Sequence, residues 1–290
     1  MSRFVLSAFA DEISDDPGIQ MDTLDMYGIK NIEIRSIYGK NISEYTIPEI
    51  KQIKKLLDAR GFGISAIGSP IGKQKITDHF APHLDLYRHT LEIAGVFGTR
   101  YIRTFSFFIP EGDDPHLYRD EVMSRWKDFI FHAENTDIIL LHENEKHIYG
   151  DTPERCKDLI ETMNSSHVKS TFDPANFIQC DIEPYPFAYS MLKKYIAYVH
   201  IKDARYFGHS VVPSGHGDGR IAEIIADLHQ SGFSGFLSLE PHLGSFTGLA
   251  ALEPGSVISG MPEGGPKQFA IAYRALKKIL DITKVEVDKL

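Results

Sequence analysis

Short apolar segments alternate with longer amphipathic segments eight times along this chain of 290 residues. Each short segment is rich in β-branched or aromatic residues, which is typical of a strand buried on both faces of a parallel sheet. The predicted strands are residues 4–9, 31–35, 63–67, 100–106, 137–143, 168–173, 196–202 and 236–240. They recur at the spacing of a βαβ unit, which predicts an α/β fold, a closed (β/α)₈ TIM barrel. We expect residues 1–290 to form a single domain of this kind.

The segments between the strands have the apolar periodicity of amphipathic helices. In residues 48–60, the apolar residues Ile50, Ile53, Leu56 and Leu57 fall on one stripe with lysines opposite, and Gly61 ends the pattern. Further helices are predicted for residues 83–96, 119–134, 218–230 and 267–280, and for a segment that begins at Thr152. An open doubly wound sheet is the main alternative, but the GxGxxG turn that usually follows its first strand is absent.

Composition and charge disfavour several classes of function. The formal net charge is −9, and a surface of that sign repels a phosphodiester backbone, so we expect no nucleic-acid partner. No apolar run approaches the roughly 20 residues of a membrane-spanning helix, and Asp11 and Glu12 come too early for a signal peptide. The cysteines, Cys156 and Cys180, form no CxxC motif and suit a reducing compartment. We therefore predict a cytoplasmic protein with no membrane partner.

Polar residues end four consecutive predicted strands, the fifth to the eighth. They are Glu143, Asp173, His200 and Glu240. The carboxyl ends of barrel strands share one rim, where the functional residues of TIM barrels lie. Each residue alone is compatible with a helix cap or a rim salt bridge. Converging carboxylates repel one another, however, and a divalent cation removes that conflict. Three oxygen ligands and one imidazole suit one Mn²⁺, Mg²⁺ or Co²⁺ ion, with Zn²⁺ as a further option.

Short motifs follow one another in a fixed order over the whole chain. They are Phe9-Ala10-Asp11-Glu12-Ile13-Ser14, Leu141-His142-Glu143-Asn144, Phe172-Asp173-Pro174-Ala175-Asn176, Val199-His200-Ile201-Lys202-Asp203-Ala204, Pro213-Ser214-Gly215-His216-Gly217 and Leu239-Glu240-Pro241-His242. In this order they resemble the sugar-phosphate isomerase/epimerase family, the xylose-isomerase-like TIM barrels. The resemblance implies that Glu143, Asp173, His200 and Glu240 bind one metal ion. It also implies that Glu143 and Glu240 act as catalytic acid and base.

The chemistry expected of such a site is proton transfer next to a carbonyl group. A metal ion that binds the carbonyl and adjacent hydroxyl oxygens stabilises the enediolate formed when the neighbouring carbon loses its proton. Two glutamates can take and return that proton. We therefore predict a metal-dependent isomerase or epimerase whose substrate is a small-molecule carbohydrate.

Other activities fit the same scaffold. Loss of a β-hydroxyl would make the enzyme a metal-dependent dehydratase (lyase) of a polyhydroxy acid or inosose, which is the alternative. An endonuclease IV-like hydrolase is disfavoured, because Asn176 stands where that enzyme has a metal-binding histidine. A barrel that binds sugars without turning them over is a further option.

Several residues near the predicted ligands are candidates for substrate binding. They are Arg103, Asn176, Lys202, Arg205, His216 and His242. Asn176 replaces a histidine of some ketose epimerases of the family, so it can hydrogen-bond a hydroxyl group but cannot act as an acid or base. A cation inside a barrel needs a partner, so Arg103 is expected to pair with a structural carboxylate or with a substrate anion. For Lys202 and Arg205, salt bridges with Asp203 or Glu145 are the alternative. Glu12 and Glu33, at the ends of the first and second predicted strands, are expected either to contact substrate hydroxyl groups or to form rim salt bridges.

Two loops at the same rim are further candidates. The backbone N–H groups of residues 215–219 are expected either to hold an anion or to form a tight turn with Asp218 as the N-cap. Residues 244–265 follow the eighth strand without clear periodicity, which indicates either a lid or a passive excursion. No segment of the sequence indicates a subunit interface, so a monomer and a homodimer are both compatible with the sequence.

Overall fold

Eight parallel strands close into a barrel in the computed structural model, which describes residues 3–252 and 261–288. We number them β1 (Arg3–Ala8), β2 (Asn31–Ile34), β3 (Gly63–Ile67), β4 (Tyr101–Thr104), β5 (Ile139–Glu143), β6 (Val168–Phe172), β7 (Ile196–Ile201) and β8 (Ser234–Leu239). Each strand pairs with its neighbour in sequence, and β8 returns to β1 with Arg3 opposite Ser234 and Ala8 opposite Leu239. The predicted (β/α)₈ TIM barrel is therefore confirmed.

Helices lie between the barrel strands. They are α1 (Pro17–Met26), α2 (Ile47–Asp58), α3 (Ala81–Phe97), α4 (Arg119–Ala133), α5 (Pro153–Met163), α6 (Pro174–Ile178), α7 (Tyr189–Leu192), α8 (Ile221–Gln230), α9 (Leu249–Leu252) and α10 (Pro266–Thr283). At the start of α2, the Glu49 carboxylate accepts a 2.7 Å hydrogen bond from the Thr46 N–H. Of the predicted apolar stripe, Ile50, Ile53 and Leu57 are buried and Leu56 is half-buried. In the described part of the chain, no helix combines the length and the apolar character needed to cross a bilayer.

Two helical regions were not predicted from the sequence. Helix α1 has a capping Asp16 and a first-turn Pro17, but Ile19 is exposed and blurs its apolar stripe. Between β6 and β7 the chain forms α6, a π-helical turn at Pro184–Ala188 and α7. Prolines in this segment, such as Pro186, remove backbone donors and break the regular period on which the prediction depends.

The predicted start of α8 at residue 218 is wrong. The helix begins at Ile221, and Arg220 before it has a left-handed φ of 53°. The Asp218 carboxylate accepts a 2.8 Å hydrogen bond from the Tyr206 N–H and does not cap the helix. The acidic residue therefore fixes the loop that precedes the helix.

Short accessory strands lie outside the regular barrel. Val287–Asp288 pairs with the beginning of β1. Two antiparallel hairpins directly follow β2 and β7, and they extend the carboxyl rim. They join Ser36–Ile37 to Lys40–Asn41, and Asp203–Ala204 to Val211–Val212.

The barrel interior below the carboxyl rim is filled by side chains. Ser7 Oγ lies 2.6 Å from Ser65 Oγ, which lies 2.9 Å from Tyr198 Oη. The Tyr198 ring belongs to a small buried cluster with Ala66 and Leu141. The rim therefore rests on a packed floor, as is usual for this fold.

Candidate metal centre

Glu143, Asp173, His200 and Glu240 come together at the carboxyl rim. One ligand atom from each side chain lies within 4.8 Å of the others. His200 Nδ1 is 3.0 Å from Glu143 Oε1, 3.1 Å from Glu240 Oε2 and 3.7 Å from Asp173 Oδ2. None of these residues is more than 3% exposed. The structure thus brings the predicted ligands into one compact group.

Each of these side chains is positioned by a different strand. Glu143 is the last residue of β5 and His200 lies in β7, while Asp173 and Glu240 directly follow β6 and β8. Asp173 also caps α6, because its Oδ1 accepts a 2.9 Å hydrogen bond from the Asn176 N–H. Its other oxygen, Oδ2, is the one that approaches His200. The group therefore depends on barrel closure and on one helix cap.

The donor atoms fit a divalent cation. Among the described residues, Glu143 Oε2, Asp173 Oδ2 and Glu240 Oε2 are buried and accept no hydrogen bond of normal geometry, whereas buried polar atoms are ordinarily satisfied. Carboxylates also outnumber cationic side chains in and around the group, six to three. The six carboxylates are those of Asp11, Glu12, Glu33, Glu143, Asp173 and Glu240, and the three cations are Arg35, Arg103 and Lys202. A dication would offset most of this excess, and three carboxylates with one imidazole suit the metals predicted from the sequence.

Electrostatics in the group favour a positive charge at its centre. Burial raises the pKa of Glu143, although His200 and Arg103 oppose the rise. Burial would also raise the pKa of Glu240, but Lys202 and His200 outweigh it and hold that pKa well below its usual range. Burial would lower the pKa of His200, yet the surrounding carboxylates, Glu143 first, raise it well above its usual range. A dication would satisfy the same preference.

Arg103 pairs with two of the proposed ligands. Its Nη1 lies 3.4 Å from Glu143 Oε2 and 3.7 Å from Glu240 Oε1, and its Nη2 donates a 3.3 Å hydrogen bond to the Ser69 carbonyl. Of the two partners expected for Arg103, the structure thus contains the structural carboxylates. A contact with substrate stays a prediction.

Asn176 and Lys202 join the ligand group directly. Asn176 Nδ2 donates a 3.1 Å hydrogen bond to Glu143 Oε1, and Asn176 Oδ1 accepts a 2.8 Å hydrogen bond from Lys202 Nζ. Lys202 Nζ also lies 3.6 Å from Asp173 Oδ2. Both side chains are buried, so they orient the carboxylates whether or not they also contact a substrate.

His242 lies beside Glu240 and forms a second acidic group with Glu12. Its Nε2 is 3.5 Å from Glu240 Oε1 and 3.4 Å from Glu12 Oε1. Burial raises the pKa of Glu12 to about 7, against the effects of His242 and Arg35. The guanidinium of Arg35 lies 3.0 Å from Glu240 Oε1, so this second group already contains a cation.

Arg205 and His216 lie apart from the buried group. Both residues are exposed, and Arg205 Nε donates a 3.4 Å hydrogen bond to the His216 carbonyl. Their expected contacts with substrate stay predictions. Glu145, one of the expected alternative partners of Lys202 and Arg205, accepts a 2.9 Å hydrogen bond from Lys73 Nζ.

The glycine-rich turn at residues 215–219 holds an anion that belongs to the chain itself. The N–H groups of Gly215, Gly217 and Gly219 donate to the Asp203 carboxylate at 2.7, 3.0 and 2.9 Å. These N–H groups are therefore occupied by a buried aspartate of the chain itself, which anchors this loop to the hairpin after β7.

Two buried charged residues of the second strand region, Glu33 and Arg35, complete the site. Glu33 was expected either to contact a substrate hydroxyl group or to form a rim salt bridge, whereas Arg35 was not identified from the sequence. Glu33 Oε2 lies 3.2 Å from His200 Nε2. Arg35 Nε donates a 2.7 Å hydrogen bond to Asp11 Oδ2, and the same guanidinium contacts Glu240. The sequence feature that could have identified both residues is their spacing on either side of Ile34 in an otherwise apolar segment. Alternate residues of a barrel strand face the interior, so Glu33 and Arg35 would point to the same side.

The segment expected to be a lid or a passive excursion, residues 244–265, is described only in part, because residues 253–260 lie outside the described residues. Within the described part, the Ser245 N–H donates to the Pro262 carbonyl at 2.9 Å. The Phe246 ring lies 5.6 Å from the His242 ring and 5.0 Å from the Arg35 guanidinium carbon. This part of the segment therefore packs against the site.

Comparison with known proteins identifies the class to which this barrel belongs. The model of the xylose isomerase-like TIM barrel family matches residues 9–282. The chain belongs to that family. No curated protein matches the chain by sequence.

Solved structures share the fold over nearly the whole chain. A D-tagatose 3-epimerase-like protein is 16% identical with a TM-score of 0.74, over 97% of this chain and 98% of that one. The IOLI protein, solved with a bound zinc atom, is 13% identical with a TM-score of 0.72, over 97% and 100%. A probable 3-DHS dehydratase from Bacillus anthracis is 15% identical with a TM-score of 0.69, over 96% and 99%. At these identities the likeness establishes the fold alone.

Proposed function

We propose that this protein is a divalent-metal-dependent isomerase or epimerase of a small carbohydrate. The observation that carries the proposal is the convergence of two glutamates, Glu143 and Glu240, on the same imidazole nitrogen of His200 within a buried, oxygen-rich group. A dication held there would stabilise the negative charge that develops on a substrate carbonyl oxygen. Family membership and an epimerase-like structural neighbour support the same reading.

The proposed chemistry divides one proton transfer between the two glutamates. One carboxylate takes the proton from the carbon next to the carbonyl, and the other returns a proton. Asn176 and Arg103 hold Glu143, and Arg35 holds Glu240, so both carboxylates are fixed before a substrate enters. Return of the proton to the same carbon from the opposite face gives an epimer, and return to the neighbouring carbon gives an isomer.

A dehydratase acting on a polyhydroxy acid or inosose is the second candidate. The ammonium group of Lys202, 3.6 Å from Asp173 Oδ2, supports it, because a cation beside the ligands could hold a substrate carboxylate. A probable dehydratase is also among the structural neighbours. Both candidates begin with loss of a proton and differ in whether a hydroxyl group then leaves.

Isotope exchange in D₂O separates these functions. The protein would be incubated with Mn²⁺ and a panel of ketoses, aldoses and inososes, and recovered sugars analysed by mass spectrometry and NMR. We expect deuterium at a carbon next to the carbonyl with the molecular formula otherwise unchanged. Loss of water with a rise in ultraviolet absorbance would establish the dehydratase instead. Tight Mn²⁺ binding without exchange or product for any sugar would contradict both candidates.

A further inference from the structure

The second nitrogen of His200 faces a carboxylate that is not among the proposed metal ligands. His200 Nε2 lies 3.3 Å from Glu33 Oε1 and 3.2 Å from Glu33 Oε2. Glu33 is 0% exposed and comes from β2, whereas the proposed ligands come from β5 to β8. The imidazole ring thus separates Glu33 from the ligand group, which meets only Nδ1.

The two ring nitrogens of His200 need different protonation when a dication is bound. Three carboxylates surround Nδ1, so a dication would sit on that side and would need the Nδ1 lone pair. A neutral imidazole with a free Nδ1 carries its proton on Nε2, and that proton requires an acceptor. Glu33 is positioned to be this acceptor.

Aromatic rings restrict how His200 can move. The Phe9 ring meets it at 5.4 Å and 78°, and the Tyr198 ring meets it at 5.9 Å and 87°, both edge-on. Tyr198 is itself tied to the barrel floor through Ser65. Packing therefore restricts the plane of the imidazole. For the neutral ring that would bind a dication, the remaining choice is which nitrogen carries the proton.

We propose that Glu33 is a positioning residue that holds His200 as its Nε2–H tautomer and presents the Nδ1 lone pair to the metal ion. This inference rests on the proposed function, because it requires that a dication binds at Nδ1. It adds a carboxylate from the opposite side of the barrel to the residues that set metal affinity. Partners of this kind typically change metal affinity by about 10- to 100-fold.

Metal affinity, measured without any substrate, tests the role of Glu33. Calorimetric titration with Mn²⁺ would compare the wild type with Glu33→Ala and Glu33→Gln. We expect Glu33→Ala to bind about 10- to 100-fold more weakly, and Glu33→Gln to fall between, because an amide oxygen still accepts the Nε2 proton but carries no charge. Glu145→Gln is the matched control, since it neutralises another buried carboxylate, one that pairs with Lys73 and not with His200, and it should bind Mn²⁺ like the wild type.

A second measurement on the unaltered protein keeps the proposal testable if Glu33 variants do not fold. In the Zn²⁺-loaded wild type, ¹⁵N NMR of histidine should show the proton of His200 on Nε2. A folded Glu33→Ala variant with wild-type Mn²⁺ affinity would overturn the role of Glu33 alone. A proton on Nδ1 would show that this nitrogen does not bind the ion, and would overturn the metal position together with the role of Glu33. Failure of the wild type to bind Mn²⁺ or Zn²⁺ would instead overturn the proposed function and, with it, this inference.

Discussion

At the scale of single residues, the proposed chemistry depends on the carboxylates of Glu143 and Glu240. Replacing either with glutamine preserves shape and hydrogen bonding but removes the proton acceptor. We expect Glu143→Gln and Glu240→Gln each to lower turnover by at least about a hundredfold, as is typical for loss of a general acid or base. Steady-state kinetics on the substrate found by isotope exchange would measure this.

Glu145 provides the control, because it lies two positions beyond Glu143, is buried, and pairs with Lys73 outside the ligand group. Glu145→Gln should keep most of the turnover. Near-normal rates for Glu143→Gln or Glu240→Gln, in a variant with an unchanged circular dichroism spectrum, would remove that glutamate from the acid–base pair.

His83, a buried histidine outside the candidate metal centre, predicts how the stability of the fold depends on pH. Burial, with a smaller effect of Arg125, lowers the pKa of His83 to about 4, and its Nε2 accepts a 2.8 Å hydrogen bond from the Gly72 N–H. The unfolded chain takes up a proton below about pH 6.5, whereas folded His83 does not until near its lowered pKa. Its contribution to stability is therefore present above about pH 6.5 and is lost as the pH falls.

His83→Gln should remove this pH dependence, because the amide oxygen can still accept the Gly72 N–H. Between pH 7 and pH 5, the stability of the wild type relative to the variant should fall by about 2 kcal/mol. Urea unfolding of both proteins at each pH measures this. The same stability difference at both pH values would show that His83 is not held neutral by the fold.

At the scale of elements, the glycine-rich turn before α8 depends on close backbone packing. A Cβ at Gly217 would lie 2.3 Å from Asp203 Oδ1 and 2.4 Å from the Ala204 carbonyl oxygen. We expect Gly217→Ala to destabilise the fold by about 1–3 kcal/mol, the usual cost of overpacking. The midpoint of urea unfolding would report the loss.

Gly95 is the matched control, because it lies exposed in α3 with nothing within 4 Å of the position of a Cβ. Gly95→Ala should stabilise the protein by about 0.5–1 kcal/mol through helix propensity. A Gly217→Ala variant as stable as Gly95→Ala would mean that the turn does not need its glycine.

Elements with a regular apolar period were predictable from the sequence, and those without one were not. The barrel strands are short, nearly continuous apolar segments, and a helix such as α2 repeats apolar residues at a fixed interval. The broken helix at residues 174–192 has no such period, because its prolines interrupt it. The contacts of Glu33 with His200 and of Arg35 with Glu240 were not predictable for a different reason: which side chains meet across the barrel is set only when β8 pairs with β1.

At the scale of the whole molecule, barrel closure converts four separated sequence positions into one group of ligands. The strand ends could be read from the chain, so the convergence of Glu143, Asp173, His200 and Glu240 was predictable. A carboxylate partner was also expected for Arg103 of β4, which pairs with Glu143. The contacts of Arg35 and Glu33 were not predictable, since both residues reach the group from the β2 region across the interior. A homodimer and a cytoplasmic location stay predictions.

Anomalous diffraction from a crystal of this protein grown with Mn²⁺ tests the metal centre most directly. We expect one strong peak per chain at the carboxyl rim, in contact with His200 Nδ1 and with a carboxylate oxygen of each of Glu143, Asp173 and Glu240. A crystal with no peak there, or with manganese held by other side chains, would contradict this expectation.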